Sequence, residues 1–163
     1  PVEAAWINEL HYDDKGSDSN EGVEVAGTAG LSLSGWSLVA YNGNGGGSYK
    51  TVSLSGTISN QSAGLGTRWF AMSGLQNGGP DGVALVDAAG TVVQFLSYEG
   101  TFTASNGPAA GMGSTNIGVQ ETSSTRNGRS LQLGGTGSSY ADFAWQTPRS
   151  HTRGSVNAGQ SFN

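Results

Sequence analysis

The apolar residues of this chain recur at every second position, and that alternation decides most of what it can fold into. In Gly22-Val23-Glu24-Val25-Ala26, Val23 and Val25 face one way and Glu24 the other. The same period runs through residues 6–12, 33–41, 49–54, 68–72, 82–87, 91–98, 130–133 and 143–145. No segment carries the 3.6-residue period of a helix. Turn signals separate the runs: Asn42-Gly43-Asn44-Gly45-Gly46-Gly47 supplies positive φ, and Ala88-Ala89-Gly90 closes a hairpin. Many short strands joined by glycine turns predict an all-β antiparallel sandwich, with a closed barrel as the structural alternative. Residues 103–127, rich in Gly, Ser, Thr and Asn, form a long loop between strands, and loops of that length are often functional.

Composition limits the setting. A chain of 163 residues suffices for one domain, here 1–163, and no repeat or linker divides it. With 28 Gly against 4 Pro it turns often; with 4 Trp, 5 Tyr and 5 Phe it has the aromatic mass of a core. Cys is absent, so there is no disulfide framework. No stretch is long and apolar enough to cross a membrane, and no basic-plus-apolar leader is present. Pro1 suits a chain that begins after a cleavage site. Few lysines, abundant Gly, Ser and Thr, and no reactive thiol favour a secreted or cell-surface protein.

Charge is uneven. Residues 1–24 hold seven acids against Lys15, a net −6, whereas residues 25–163 hold five acids against six bases, a net +1. Arg126, Arg129, Arg149 and Arg153 lie late, with only Asp142 among them. On one shared face they would be a weak, salt-sensitive site for DNA or an acidic polysaccharide, though a dedicated nucleic-acid binder carries a denser basic patch.

The order of the motifs carries a resemblance. Ile7-Asn8-Glu9-Leu10, Val23-Glu24-Val25 and Leu33-Ser34-Gly35-Trp36-Ser37-Leu38 come first. Asp81-Gly82-Val83-Ala84-Leu85-Val86-Asp87 and Gly90-Thr91-Val92-Val93 follow, then Thr147-Pro148 and Gly154-Ser155-Val156-Asn157-Ala158-Gly159-Gln160. Over roughly 6–160 this resembles the lamin-tail domain family in its secreted bacterial branch. The resemblance implies an immunoglobulin-like β-sandwich of lamin-tail type. It also implies an accessory role, since such domains accompany extracellular nucleases, phosphoesterases and proteases or occur in surface proteins. The loop 13–21 and the segment 99–129 are longer than the compact eukaryotic form needs.

The segment HYDDKGSDSNEGVEV, residues 11–25, holds the chemistry. Asp13, Asp14, Asp18, Asn20, Glu21 and Glu24 offer the six to eight oxygens that Ca²⁺ takes, and Gly16 lets the loop fold back. Asp18 and Glu24 are the preferred ligands, Asp13 and Asn20 the next. The spacing is not that of an EF-hand, and a solvated acidic loop is the plain alternative. His11 and His151 are too few for zinc. No Gly-x-Ser-x-Gly elbow supports a serine nucleophile. Glu9 with Glu24, or Asp81 with Glu99, are the carboxylates that hydrolysis would use; pairing within the sandwich explains Glu9 and Glu24 more simply. Gly43-x-Gly45 is a hairpin turn without the helix and lysine of a phosphate loop. Trp36 belongs to the core, while Trp6, Trp69, Tyr41, Tyr49 or Tyr98 could stack on a sugar or a base.

These readings give a non-catalytic binding or anchoring module of a secreted protein. Its partner is a catalytic domain or an extracellular or cell-surface polymer. A stand-alone DNA- or polysaccharide-binding module, with Ca²⁺ at the acidic loop, is the alternative, and a hydrolase is the least supported.

Overall fold

The computed structural model describes residues 4–163. Eleven strands occur among them: β1 Ala5–His11, β2 Gly22–Thr28, β3 Ser37–Asn42, β4 Ser48–Ser53, β5 Leu65–Ala71, β6 Asp81–Val86, β7 Val92–Tyr98, β8 Thr115–Asn116, β9 Arg129–Gly137, β10 Ala144–Ser150 and β11 Gln160–Phe162. One sheet runs β10-β9-β1-β2-β5, with β11 added parallel to β9; the other runs β4-β3-β6-β7-β8. They pack face to face as an immunoglobulin-like β-sandwich. The sole regular helical turn among the described residues is the 3₁₀ piece Tyr140–Asp142. No helix among them is long and apolar enough to cross a membrane.

The period-two pattern does its expected work between the sheets. Ile7, Val23 and Val25 of the first sheet meet Leu38, Val83, Leu85 and Leu96 of the second, all buried. Tyr12 and Tyr98 stack at 3.7 Å across the end where β1 and β7 finish. Each buried aliphatic side chain contributes about 1.5–3 kcal/mol.

Both outer faces are covered as well. The loop after β7 lays Ala104 and Ala109 on Tyr41, Ala84 and Phe95, and the Tyr41 hydroxyl donates to the Asn106 carbonyl at 3.0 Å. Part of the predicted surface loop is thus the lid of a small second core. Gly46 is obligatory in this arrangement: its φ is +75°, and a Cβ there would strike the Thr103 carbonyl. On the other sheet, Phe162 packs on Trp6 and Leu133, with Phe143 and Trp145 against them.

Several bounds differ from the sequence expectation. The third strand starts at Ser37, because the backbone of Leu33 and Trp36 is used in turns. β9 continues through Gly134 and Gly135 to Gly137 where strand propensity fails, since β10 and β11 flank it. β10 extends through Pro148, which an edge strand tolerates.

The centre of the first sheet is irregular in a way that matters below. The β1–β2 register slips between Ile7 and Glu9, so Asn8 is a bulge and both Asn8 and Glu9 reach the outer face. β1 and β9 pair only at Glu9–Gln132 and Leu10–Leu131. Beyond that point side chains replace the ladder. Asn157 Nδ2 donates to the Asn8 carbonyl at 2.8 Å and to the Leu133 carbonyl at 3.0 Å, and the Ile7 amide donates to Gln94 Oε1 at 2.7 Å.

Candidate functional site

Two groups of acids draw the eye, and both begin on β1. The first is Glu9 with Glu24. They face each other across β1 and β2, and neither has any exposed surface. Like charges placed so would repel, so neutral donors surround them. Glu9 accepts from Ser130 Oγ, the Thr152 amide at 2.9 Å and Thr152 Oγ1 at 3.0 Å. Glu24 accepts from Asn8 Nδ2 at 3.0 Å and the Gly154 amide at 2.9 Å. Burial, and then the charge of Glu9, push the Glu24 carboxyl well above the ordinary glutamate range. Residues 152–157 therefore seal the pair, which leaves no approach for a substrate.

The second group lies at the end of the sandwich where β1, β5 and β7 finish and β2, β6 and β9 begin. Its pivot is His11. Nδ1 meets Glu121 Oε2 at 2.8 Å, and Nε2 meets Asp14 Oδ2 at 3.1 Å and the Ser19 carbonyl at 2.9 Å. Burial pulls its pKa down, but Glu121 and then Asp14 outweigh burial and lift it to about 9. The ring is an imidazolium at neutral pH. Glu121 Oε1 also accepts from the Tyr12 amide at 2.6 Å and the Asp13 amide at 3.0 Å. Burial raises the Glu121 carboxyl, and His11 pulls it back.

Asp13 is buried, and its carboxyl lies within hydrogen-bonding reach of that of Asp18. Burial, Asp18, Glu121 and Glu99 together lift it to about 6. Asp18 Oδ1 accepts from the Asp14 amide at 3.2 Å, and Oδ2 from Asn77 Nδ2 at 2.7 Å. Glu21 turns toward Gly74, accepting its amide at 3.2 Å. Asn20 is exposed, at a φ of 55°. Of the proposed calcium ligands, then, Asp13 and Asp18 come together, Asn20 stands at the loop's rim, and Glu24 belongs to the sealed pair. Among the described residues no group of three acidic, histidine or cysteine side chains is placed so that it could hold a metal ion. Asn77 joins this cluster to a cleft of about 650 Å³ between the β3–β4 turn and residues 74–81. Asp81, in that cleft, is raised by burial.

Sequence reasoning missed Glu121, which arrives from more than a hundred residues away. Its signal was present, for it is the one acid between Glu99 and Asp142.

The four late arginines do not share a face. Ser150 pairs with Arg129 and Arg149 with Ser130, so Arg129 and Arg149 project to opposite sides of the sheet. Arg149 is half-buried and donates to the Ala158 carbonyl and Gln146 Oε1 at 3.3 and 3.4 Å. Arg126 is exposed in the turn before β9. Arg153 lies 5.6 Å above the half-buried Trp69 ring. A groove of about 370 Å³ adjoins them, lined by Gln61, Thr67, Arg68, Trp69 and Gly154. Of the other stacking candidates, Trp6, Tyr41 and Tyr98 are buried, and the half-buried Tyr49 accepts the Gln76 amide at 2.8 Å.

No protein-family model, no curated protein and no solved structure matches the chain.

Proposed function

We propose that this domain is a non-catalytic binding module of a secreted or cell-surface protein, of the kind attached to extracellular nucleases or other hydrolases. Its ligand is an anionic extracellular polymer, held on the outer face of β5. The observation that carries the reading is the groove beside Trp69: an indole half open to solvent, with the Arg153 guanidinium 5.6 Å above its ring and Arg68 in the groove's lining. A π-face with flanking cations suits a flexible chain of stackable rings and anionic groups. The resemblance of the motif order to the lamin-tail family supports the accessory role. The sealing of Glu9 and Glu24 supports it too, because the best-placed carboxylate pair is closed to substrates.

The test is a titration of the whole chain with single-stranded DNA, duplex DNA, an acidic polysaccharide and a neutral polysaccharide at low salt. Anionic chains are expected to bind, with affinity falling as salt rises. Trp69→Ala and Arg153→Ala should each weaken binding about tenfold, a loss of about 1.4 kcal/mol. Absence of binding to every anionic chain at ~50 mM salt, where such contacts are strongest, sinks the proposal. Preference for the neutral polymer replaces the anionic ligand with a sugar.

A further inference from the structure

We propose that the cleft between the β3–β4 turn and residues 74–81 is a carbohydrate site, which holds a neutral sugar by its hydroxyl groups. It shares no lining residue with the groove beside Trp69, and the proposal does not rest on the polymer-binding reading.

Three observations carry it. First, the cleft has a carboxylate in its lining with one oxygen to spare. Asp81 is 4% exposed, and its Oδ1 accepts the Gly43 amide at 3.2 Å. Among the described residues the side-chain atoms that are both buried and unpartnered are Asp14 Oδ1 and Arg149 Nε. Asp81 Oδ2 has no hydrogen-bond partner among those residues either, so it is open, and the opening is the cleft that Asp81 lines. An ionised oxygen that is largely shielded yet reachable is a strong acceptor for a hydroxyl.

Second, the walls present amides. Asn42 pairs with Asp81 across β3 and β6, so the two side chains leave the sheet on one side. Asn42 Oδ1 is taken by the Asn44 amide at 2.8 Å, which leaves Nδ2 to donate. Asn77 Nδ2 is taken by Asp18 at 2.7 Å, which leaves Oδ1 to accept. The Gln76 side chain has no hydrogen-bond partner among the described residues, although its backbone is fixed on both sides. The amide donates to the Tyr49 hydroxyl at 2.8 Å, and the carbonyl accepts from the Tyr98 hydroxyl. Leu75 beside it belongs to the core. Gly43 lets the two walls meet, since a Cβ there would strike the Pro80 carbonyl. The cleft of about 650 Å³ falls in the range of small-ligand sites, and its polar groups are in place before a ligand arrives.

Third, charge selects the ligand. No Lys, Arg or His lines the cleft, so an anion finds no partner there. One carboxylate among four amide side chains gives an organic cation a single counter-charge. A sugar hydroxyl both donates and accepts, as those amides do. Glu99 packs on Gly79 outside the lining and accepts from the Tyr12 hydroxyl at 3.0 Å. A sugar in the cleft therefore meets one carboxylate, and is held instead of cleaved.

The experiment is a titration of the intact ¹⁵N-labelled chain with neutral disaccharides of glucose, mannose, galactose and N-acetylglucosamine, read by amide chemical shifts. At least one is expected to bind with a Kd on the order of 1 mM, because each contact replaces one with water. It should move the amides of residues 42–44 and 74–81 and leave those of 67–69 and 154 in place. Asp81→Asn keeps an acceptor for the Gly43 amide and should weaken binding about tenfold. Gln76→Ala removes a side chain that holds nothing in the fold, and should weaken it about fivefold. No shift at ~20 mM of any of these sugars, well above that Kd, overturns the site. Unchanged binding in both variants overturns it as well. Shifts confined to 67–69 and 154 overturn the location and seat the sugar beside Trp69. A stronger response to spermidine than to any sugar overturns the ligand class. Whether anionic chains bind at Trp69 alters none of these outcomes.

Discussion

The Glu9–Glu24 pair and the cluster around His11 both start from β1, at residues two apart, and deal with crowded carboxylates in opposite ways. At the pair, the fold withdraws both acids from water and surrounds them with neutral donors: a serine, a threonine, an asparagine and two loop amides. No cation is among the partners named for either acid. At the cluster, the fold leaves a loop on one side, places an imidazolium at the centre and strands one oxygen. The first arrangement gives every carboxylate oxygen a donor; the second leaves Asp14 Oδ1 without one. Burial alone does not separate them, since Asp14 and Glu121 are as buried as Glu24. What differs is whether every oxygen has a donor.

The largest effect should come from breaking the sealed side. Glu9→Ala leaves Ser130 Oγ, the Thr152 amide and Thr152 Oγ1 without their acceptor, at a cost of about 3 kcal/mol. Asp18→Ala should cost under about 1 kcal/mol, because Asp18 is only half-buried. Urea denaturation of both variants checks this. Equal losses would erase the distinction.

Acidity should separate them next. His11 is raised from 6.5 to about 9, so its stabilisation is complete below about pH 6.5 and fades as pH climbs toward 9. The full swing is about 3 kcal/mol. His11→Gln should flatten stability between those limits in a pH series of denaturation curves; a slope that survives the substitution would show that His11 is not its source.

Glu24 is also raised, so its contribution is present below the ordinary glutamate pKa and is lost as pH rises through its higher folded value. Glu24→Gln should remove the part of the decline that begins near pH 4.5 and leave the His11 part. Were the double variant no flatter than His11→Gln alone, the sealed pair would carry no share of the pH response.

The smallest effect belongs to the rim of the loop. Asn20 tolerates its φ of 55° better than other L residues do, and glycine better still. Asn20→Gly should shift the melting temperature by no more than about 0.5 kcal/mol would. A larger loss in the melting curve would give the Asn20 side chain a structural part at the loop's rim.

The fold was legible where side chains alternate. Val23 and Val25 lie between the sheets, Glu24 is turned away from them, and the Asn42–Gly47 turn joins β3 to β4 as its glycines demand. β8 and β11 were not legible, because two or three residues in parallel pairing have no period to show and exist only where an edge awaits them. In the candidate site, the approach of Asp13 to Asp18 follows from the short loop that turns back at Gly16, whose φ is 86°. The departure of Glu24 was implicit in the alternation, since a residue opposite Val23 and Val25 cannot serve a loop beyond the strand's end. The bulge at Asn8, which turns Glu9 to meet it, depends on a register that only the folded sheet sets. Glu121 reaches His11 through tertiary structure alone.

The bridge that Asn157 makes between β1 and β9 bears on how the chain is assembled in time. β1 leaves the ribosome well ahead of β9, and the amide that holds the two together at the sheet's centre comes 149 positions after Asn8. Until that amide arrives, Asn8 and Leu133 have carbonyls with no partner, and Glu9 awaits Thr152. Contacts so distant in sequence slow folding, and a half-made chain presents open strand edges in the meantime. Synthesis must therefore pass Asn157 before β1 finds its final place, and a polypeptide cut short before that residue would be a substrate for proteases instead of a smaller domain.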